Sequence, residues 1–210
     1  MELTWRALAR DAPPPALARD EIQIHLVARD AAYAWRDTLL AAATGAAPSD
    51  LRHARGRHGR PYLDAPDAPG FSLAHTDAHA LVALAQGTTL GVDLEAPRTV
   101  LRRDALLVRF FRAEEREAIA AAPDPDRLLL HAWAGKEALV KAIGRGIAYG
   151  LARVGLALDG AAVTGLATLE GPAATLAPWT VASFDLPGRY LGAIAWRGGA
   201  RPVRAFVRGG

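Results

Sequence analysis

The sequence predicts an α+β protein of two lobes, residues 1–88 and 89–210, and three observations carry that expectation. Short apolar runs bounded by glycine and proline read as strands, and helical apolar spacing recurs in consecutive segments between residues 101 and 143. The order of signals is short strands, helix and strands, then strand, helices and strands, a pattern of two α+β units. With 51% apolar and 22% charged residues, 210 residues supply a sizeable core.

Residues 1–9 read as a first strand, ended by Pro13-Pro14-Pro15, because proline removes a donor and fixes φ. Ile22–Val27 is a second. From Asp30 to Ala43 the chain reads as an amphipathic helix carrying Tyr33, Ala34, Leu39 and Leu40, with Asp30 as its cap and Gly45 placed to end it. Arg52, His53, Arg55, Arg57, His58 and Arg60 crowd into nine positions and read as a basic loop, either solvated or holding phosphate or an acidic partner. Phe71–His75, Ala80–Leu84 and Thr89–Leu94 are strands closed by Pro97. Leu101–Phe111, Ala113–Ala122 and Asp126–Ile143 are helices, the last two separated by Pro123 and Pro125. Gly144, Gly146 and Gly150 mark a turn-rich exit, and Val154–Leu158, Ala167–Leu169, Trp179–Phe184 and Tyr190–Trp196 return to sheet.

Composition excludes several classes. The absence of cysteine removes disulfide frames, thiolate zinc sites and thiol nucleophiles, and makes the cytoplasm the expected compartment. The N-terminal residues lack a basic region followed by an apolar run, so no secretory signal is expected, and no uninterrupted apolar stretch of about 18 residues suggests a membrane span. A net charge of +3 gives no indication of nucleic acid binding.

Chemistry concentrates in two stretches. In Gly91-Val92-Asp93-Leu94-Glu95 a strand turns Asp93 and Glu95 to one side, roughly 7 Å apart along the chain. In Trp133-Ala134-Gly135-Lys136-Glu137-Ala138-Leu139-Val140-Lys141 a helix stacks Glu137 and Lys141 on one face and turns Lys136 away, toward a structural ion pair or another contact outside the chemistry. Two strand carboxylates, a helical carboxylate and an ammonium suit a hard divalent cation with a phosphate-bearing ligand. Trp133 on the same helix reads as core.

These stretches sit in an ordered series with Gly59-Arg60-Pro61-Tyr62, Phe71-Ser72-Leu73-Ala74-His75-Thr76, and Arg109-Phe110-Phe111 followed by Glu115. The series resembles the Sfp-type 4′-phosphopantetheinyl transferases over roughly residues 56–150, with a similar sheet-rich tail. That resemblance implies two lobes of similar topology with the active site in the cleft between them, the N-terminal lobe binding coenzyme A and the C-terminal lobe carrying the metal and catalytic motifs. It implies transfer of the phosphopantetheine arm of coenzyme A to a serine of an apo acyl or peptidyl carrier protein, with release of adenosine 3′,5′-bisphosphate. Asp93, Glu95 and Glu137 match the family's ligands for magnesium, with manganese as the alternative. Lys141 matches a lysine beside the phosphates, His75 a coenzyme phosphate contact, and Arg60 the basic residue of the adenine-side turn. The base that takes the serine proton is either Glu137 or a metal-bound water.

The chain departs from the family pattern in three places. Ala74 replaces a serine, Arg60 replaces the commoner lysine, and the lysines that hold the 3′-phosphate are not visible before residue 50, where Arg36 aligns only loosely. Arg52, Arg55 or Arg57 is the expected substitute. The competing reading is a non-catalytic module that binds coenzyme A or a carrier protein, and a third is a magnesium enzyme acting on another phosphoanhydride. Two lobes within one chain imply a monomer.

Overall fold

The computed structural model describes residues 1–176 and 178–209. Its N-terminal part runs β1 (Trp5–Leu8), β2 (Ile22–Ala28), α1 (Ala32–Thr44), β3 (His53–Arg55), β4 (Pro61–Leu63), β5 (Gly70–His75) and β6 (His79–Ala85). It continues through β7 (Leu90–Glu95), α2 (Arg103–Phe110), α3 (Ala113–Ala120), α4 (Pro125–Ile143), β8 (Val154–Leu158), β9 (Val163–Leu169), β10 (Trp179–Asp185), β11 (Leu191–Arg197) and β12 (Val203–Arg208). The fold is α+β. Among the described residues no helix is long and apolar enough to cross a membrane.

A five-stranded sheet of order β1-β12-β2-β6-β5 stacks on a three-stranded sheet of order β10-β11-β7. Strand alternation assigns the faces. Ile22, Ile24, Leu26, Leu81 and Ala83 meet Leu90, Val92, Leu94, Ile194 and Trp196 between the sheets. On the outer face of the larger sheet, Val27, Ala80, Val82 and Leu84 pack under Trp35, Leu39 and Leu40 of α1. On the outer face of the smaller sheet, Val181, Ala193 and Ala195 pack under α4, whose Leu128, Leu129, Ala138 and Leu139 are buried. Two orders repeat within this frame: β2-β6-β5 and β7-β11-β10 are both antiparallel, and each comprises one strand, then helix and hairpin, then two more strands.

Local chemistry explains the boundaries. Gly45 ends α1 at φ 72° with its N–H on Ala41 O at 2.8 Å, and Gly144 ends α4 at φ 83°. Asp124 caps α4 by accepting from Arg127 N at 3.0 Å, with Pro125 in the first helical position.

Some expectations need correcting. Asp30 is not a cap: it lies in a 3₁₀ turn, Arg29–Ala31, and α1 starts two residues later without a side-chain cap. The basic segment contains a hairpin, because His53–Arg55 pairs with Pro61–Leu63 around the Gly59 turn. The strand expected at Ala167–Leu169 begins at Val163. The last strand, β12, was not anticipated, and it lies in the N-terminal sheet, parallel to both β1 and β2.

Candidate active site

The acids are positioned by a close approach of helix to strand. At Gly91 a Cβ would lie 2.1 Å from Ala138 O and 2.5 Å from Ala142 N, so α4 can rest on β7 only because residue 91 has no side chain. Leu90, Val92 and Leu94 point between the sheets, which leaves Gly91, Asp93 and Glu95 on the α4 side. Lys141 Nζ donates to Asp93 Oδ1 at 2.6 Å and to Val92 O at 3.1 Å, tying the helix face to the strand. Glu95 Oε2 accepts from Arg98 Nη1 at 2.5 Å.

Electrostatics links the three carboxylates. Burial pushes the Glu137 carboxyl above its ordinary value; the negative charge of Asp93 and then that of Glu95 add to this, and Lys141 opposes it. Asp93 is also raised by burial, against the pull of Lys141, and Glu95 is raised by burial, against Arg98. Among the described residues no three acidic or histidine side chains converge tightly enough to hold one ion as they stand. Asp93 and Glu95 are instead engaged by the cations Lys141 and Arg98. The donor set still fits a hard cation, since three mutually repelling carboxylate groups on facing elements gain from shared positive charge.

Beside Lys141 opens a cavity of about 350 Å³ lined by Tyr33, Arg36, Arg55, His58, Arg60 and Ser72 among others. The sequence reading is brought together here in part. Arg55 lines the cavity, whereas Arg52 and Arg57 do not. Arg36 also lines it, 5.1 Å over the Tyr33 ring and bonded to Asp37, which His53 shares at 2.9 Å. Arg60 forms part of the wall, but its guanidinium donates to Ala142 O and Leu90 O. His75 is exposed at the end of β5 and is not in this lining. Gly70 sits against Thr88 and Ser72 Oγ accepts from Val92 N, so β5 and β7 advance in the same sense and bring His75 to the end that carries Glu95. His58 belongs to the basic segment read as a possible phosphate holder, whereas Tyr33, read only as a residue of an amphipathic helix, is the lining residue that nothing in the sequence singles out.

Lys136 is fully buried and points away from the site, as helical spacing requires. Its Nζ donates to Glu115 Oε2 at 2.9 Å and to Val154 O, and it lies 4.8 Å from the Phe111 ring. Glu115 also accepts from Arg112 N and Leu156 N, both at 2.8 Å. Phe111 of the Arg109-Phe110-Phe111 block and the glutamate that follows it, Glu115, therefore form the socket for this lysine. Trp133 packs edge-on to Phe110 at 5.4 Å, half-buried against the core.

An α+β scaffold that places acids and a lysine beside an arginine-lined cavity has the donor chemistry to meet a phosphate-bearing ligand. Residues 89–194 match the model of the 4′-phosphopantetheinyl transferase superfamily, and the chain belongs to that superfamily. It is 32% identical over 120 residues to a putative 4′-phosphopantetheinyl transferase of Synechocystis sp., a match covering 55% of this chain and 49% of the relative. It is 36% identical over 115 residues to the L-aminoadipate-semialdehyde dehydrogenase-phosphopantetheinyl transferase of Eremothecium gossypii, covering 50% and 41%. To the 4′-phosphopantetheinyl transferase HetI of Nostoc sp. it is 31% identical over 116 residues, covering 53% and 49%. The chain thus spans about half the length of these relatives.

Proposed function

We propose that the chain transfers the 4′-phosphopantetheine arm of coenzyme A to a serine of an apo acyl or peptidyl carrier protein, releasing adenosine 3′,5′-bisphosphate. The observation that carries this reading is the 2.6 Å contact between Asp93 of β7 and Lys141 of α4 at the edge of the arginine-lined cavity, in a chain of this superfamily. The serine oxygen forms a bond to the phosphorus that bears the pantetheine arm, and the bond from that phosphorus to the nucleotide phosphate oxygen breaks.

Asp93, Glu95 and Glu137 would hold magnesium, or manganese, which when bound offsets the charge gathered at the pyrophosphate. Lys141 supplies a fixed positive charge for the departing bisphosphate, and its anchorage on Val92 O keeps it in place. Glu137, one helical turn from Lys141 on α4, is assigned as an acceptor for the serine proton. Arg36, Arg55 and His58 suit the nucleotide phosphates. His75, at the exposed end of β5, is assigned to the same coenzyme.

Two lobes of similar topology, 1–88 and 89–210 except that β12 returns to the sheet of the first, with the site in the cleft between them, are supported by the repeated orders β2-β6-β5 and β7-β11-β10. A cavity wall drawn from Tyr33 and Arg55 on one side and Lys141 and Gly144 on the other agrees with them. The chain would act as a monomer in the cytoplasm. To test the activity, the protein is mixed with coenzyme A, magnesium and several apo carriers, and each carrier is weighed intact. One added phosphopantetheine is the expected result; coenzyme A binding without modification of any carrier would favour a binding module instead.

A further inference from the structure

Both terminal nitrogens of Arg60 are engaged inside the protein. Nη1 donates to Ala142 O at 2.5 Å and Nη2 to Leu90 O at 3.0 Å. Ala142 lies in the last turn of α4, where carbonyls have no donor within the helix. The arginine stem lies against Gly144, with Cδ 3.2 Å from the position a Cβ would take. Arg60 also contributes to the walls of two cavities, the basic one and a larger one of about 820 Å³ beneath Tyr62 and Pro178.

We infer that Arg60 is a positioning residue: it clamps the β3–β4 hairpin to the end of α4 and so sets the affinity of the cavity for the coenzyme phosphates, without touching a phosphate itself. The inference rests on the coenzyme reading above. The residues that would meet phosphate, Arg55 and His58, belong to the hairpin and turn that Arg60 holds down. A planar guanidinium reaches two carbonyls at once, whereas an ammonium is a single compact charge. The geometry therefore accounts for arginine in place of the family's commoner lysine. Lys141 has its own anchors in Asp93 and Val92, so a loosened hairpin affects coenzyme binding before it affects the chemical step.

Arg60→Lys and Arg60→Met are compared with the wild type by calorimetric titration with adenosine 3′,5′-bisphosphate and by steady-state transfer. The clamp requires both variants to bind the bisphosphate about tenfold more weakly and to raise KM for coenzyme A, with kcat within about threefold. If Arg60→Lys binds as the wild type does while Arg60→Met is weak, Arg60 is a charge contact and the inference is wrong. An equal fall in kcat and kcat/KM overturns it too. Should neither variant fold, guanidinium NMR of the wild type decides: the Arg60 Nη signals must be restrained without nucleotide and unmoved by it, and a shift on its addition would overturn the clamp. Failure of the wild type to bind the bisphosphate at all would sink the coenzyme reading itself, and the inference with it.

Discussion

Replacing Gly91 with alanine perturbs the site without changing any charged group. The added Cβ would stand 2.1 Å from Ala138 O, 2.5 Å from Ala142 N and 2.8 Å from Lys141 Cβ, where ordinary contact begins at 3.4 Å. Two of these neighbours are helix backbone atoms, so no side-chain rotation relieves the clash, and α4 must withdraw by roughly 1 Å. The Lys141–Asp93 contact, now 2.6 Å, would then stretch past hydrogen-bonding length. Overpacking of this kind costs about 1–3 kcal/mol, and a misplacement of about 1 Å in the reacting groups costs about 100-fold in rate. Urea denaturation gives the first quantity and carrier modification under saturating coenzyme A the second. A Gly91→Ala protein within about 0.5 kcal/mol and about threefold of wild type would refute the close-approach argument.

Other outcomes follow from the same geometry. Glu137→Gln should abolish transfer and, in chelator-containing buffer, stabilise the fold by an order of 1 kcal/mol, because it removes one of three mutually repelling carboxylates; a lower Tm would contradict this. The sign with pH is fixed. A carboxyl whose folded pKa is raised holds its proton longer in the folded state, so its contribution to stability is lost as pH climbs from its ordinary value of 4.5 through the folded value. The advantage of Glu137→Gln should accordingly grow across that window and level off above it in thermal melts. Lys136→Met leaves Glu115 charged and buried and should cost about 3–5 kcal/mol by denaturant titration, and a loss under about 1 kcal/mol would remove the socket from the account. Charge reversal at Arg55 should weaken coenzyme A binding more than reversal at Arg57, which lies outside the cavity lining; equal effects in a titration would argue against the assigned cavity.

The parts of this protein legible in the sequence are those governed by local periodicity. Alternation in Gly91–Glu95 placed Asp93 and Glu95 on one face, and helical spacing placed Glu137 with Lys141 and turned Lys136 away, as the packing of β7 and α4 bears out. What failed depends on partners distant in the chain. β12, beyond the last strand expected at Tyr190–Trp196, carries Arg204 and Arg208 four residues apart. Its arginines are accommodated by Glu21 and by the Trp35 ring, groups more than 170 residues earlier. Arg60 read as a coenzyme contact in a basic turn, and its internal bonds were invisible for the same reason, because its carbonyl acceptors lie 30 and 82 residues away. The basic segment concealed a hairpin because its strands are three residues each, too short to develop a pattern.

The central claim is that Asp93, Glu137 and Lys141 serve phosphopantetheine transfer, and it is tested most directly by intact mass of an apo carrier incubated with coenzyme A, magnesium and either the wild type or the folded Asp93→Ala and Glu137→Gln variants. The wild type should convert the carrier serine to its phosphopantetheine ester and release one equivalent of adenosine 3′,5′-bisphosphate, while neither variant does so. Undiminished conversion by either folded variant would contradict the account.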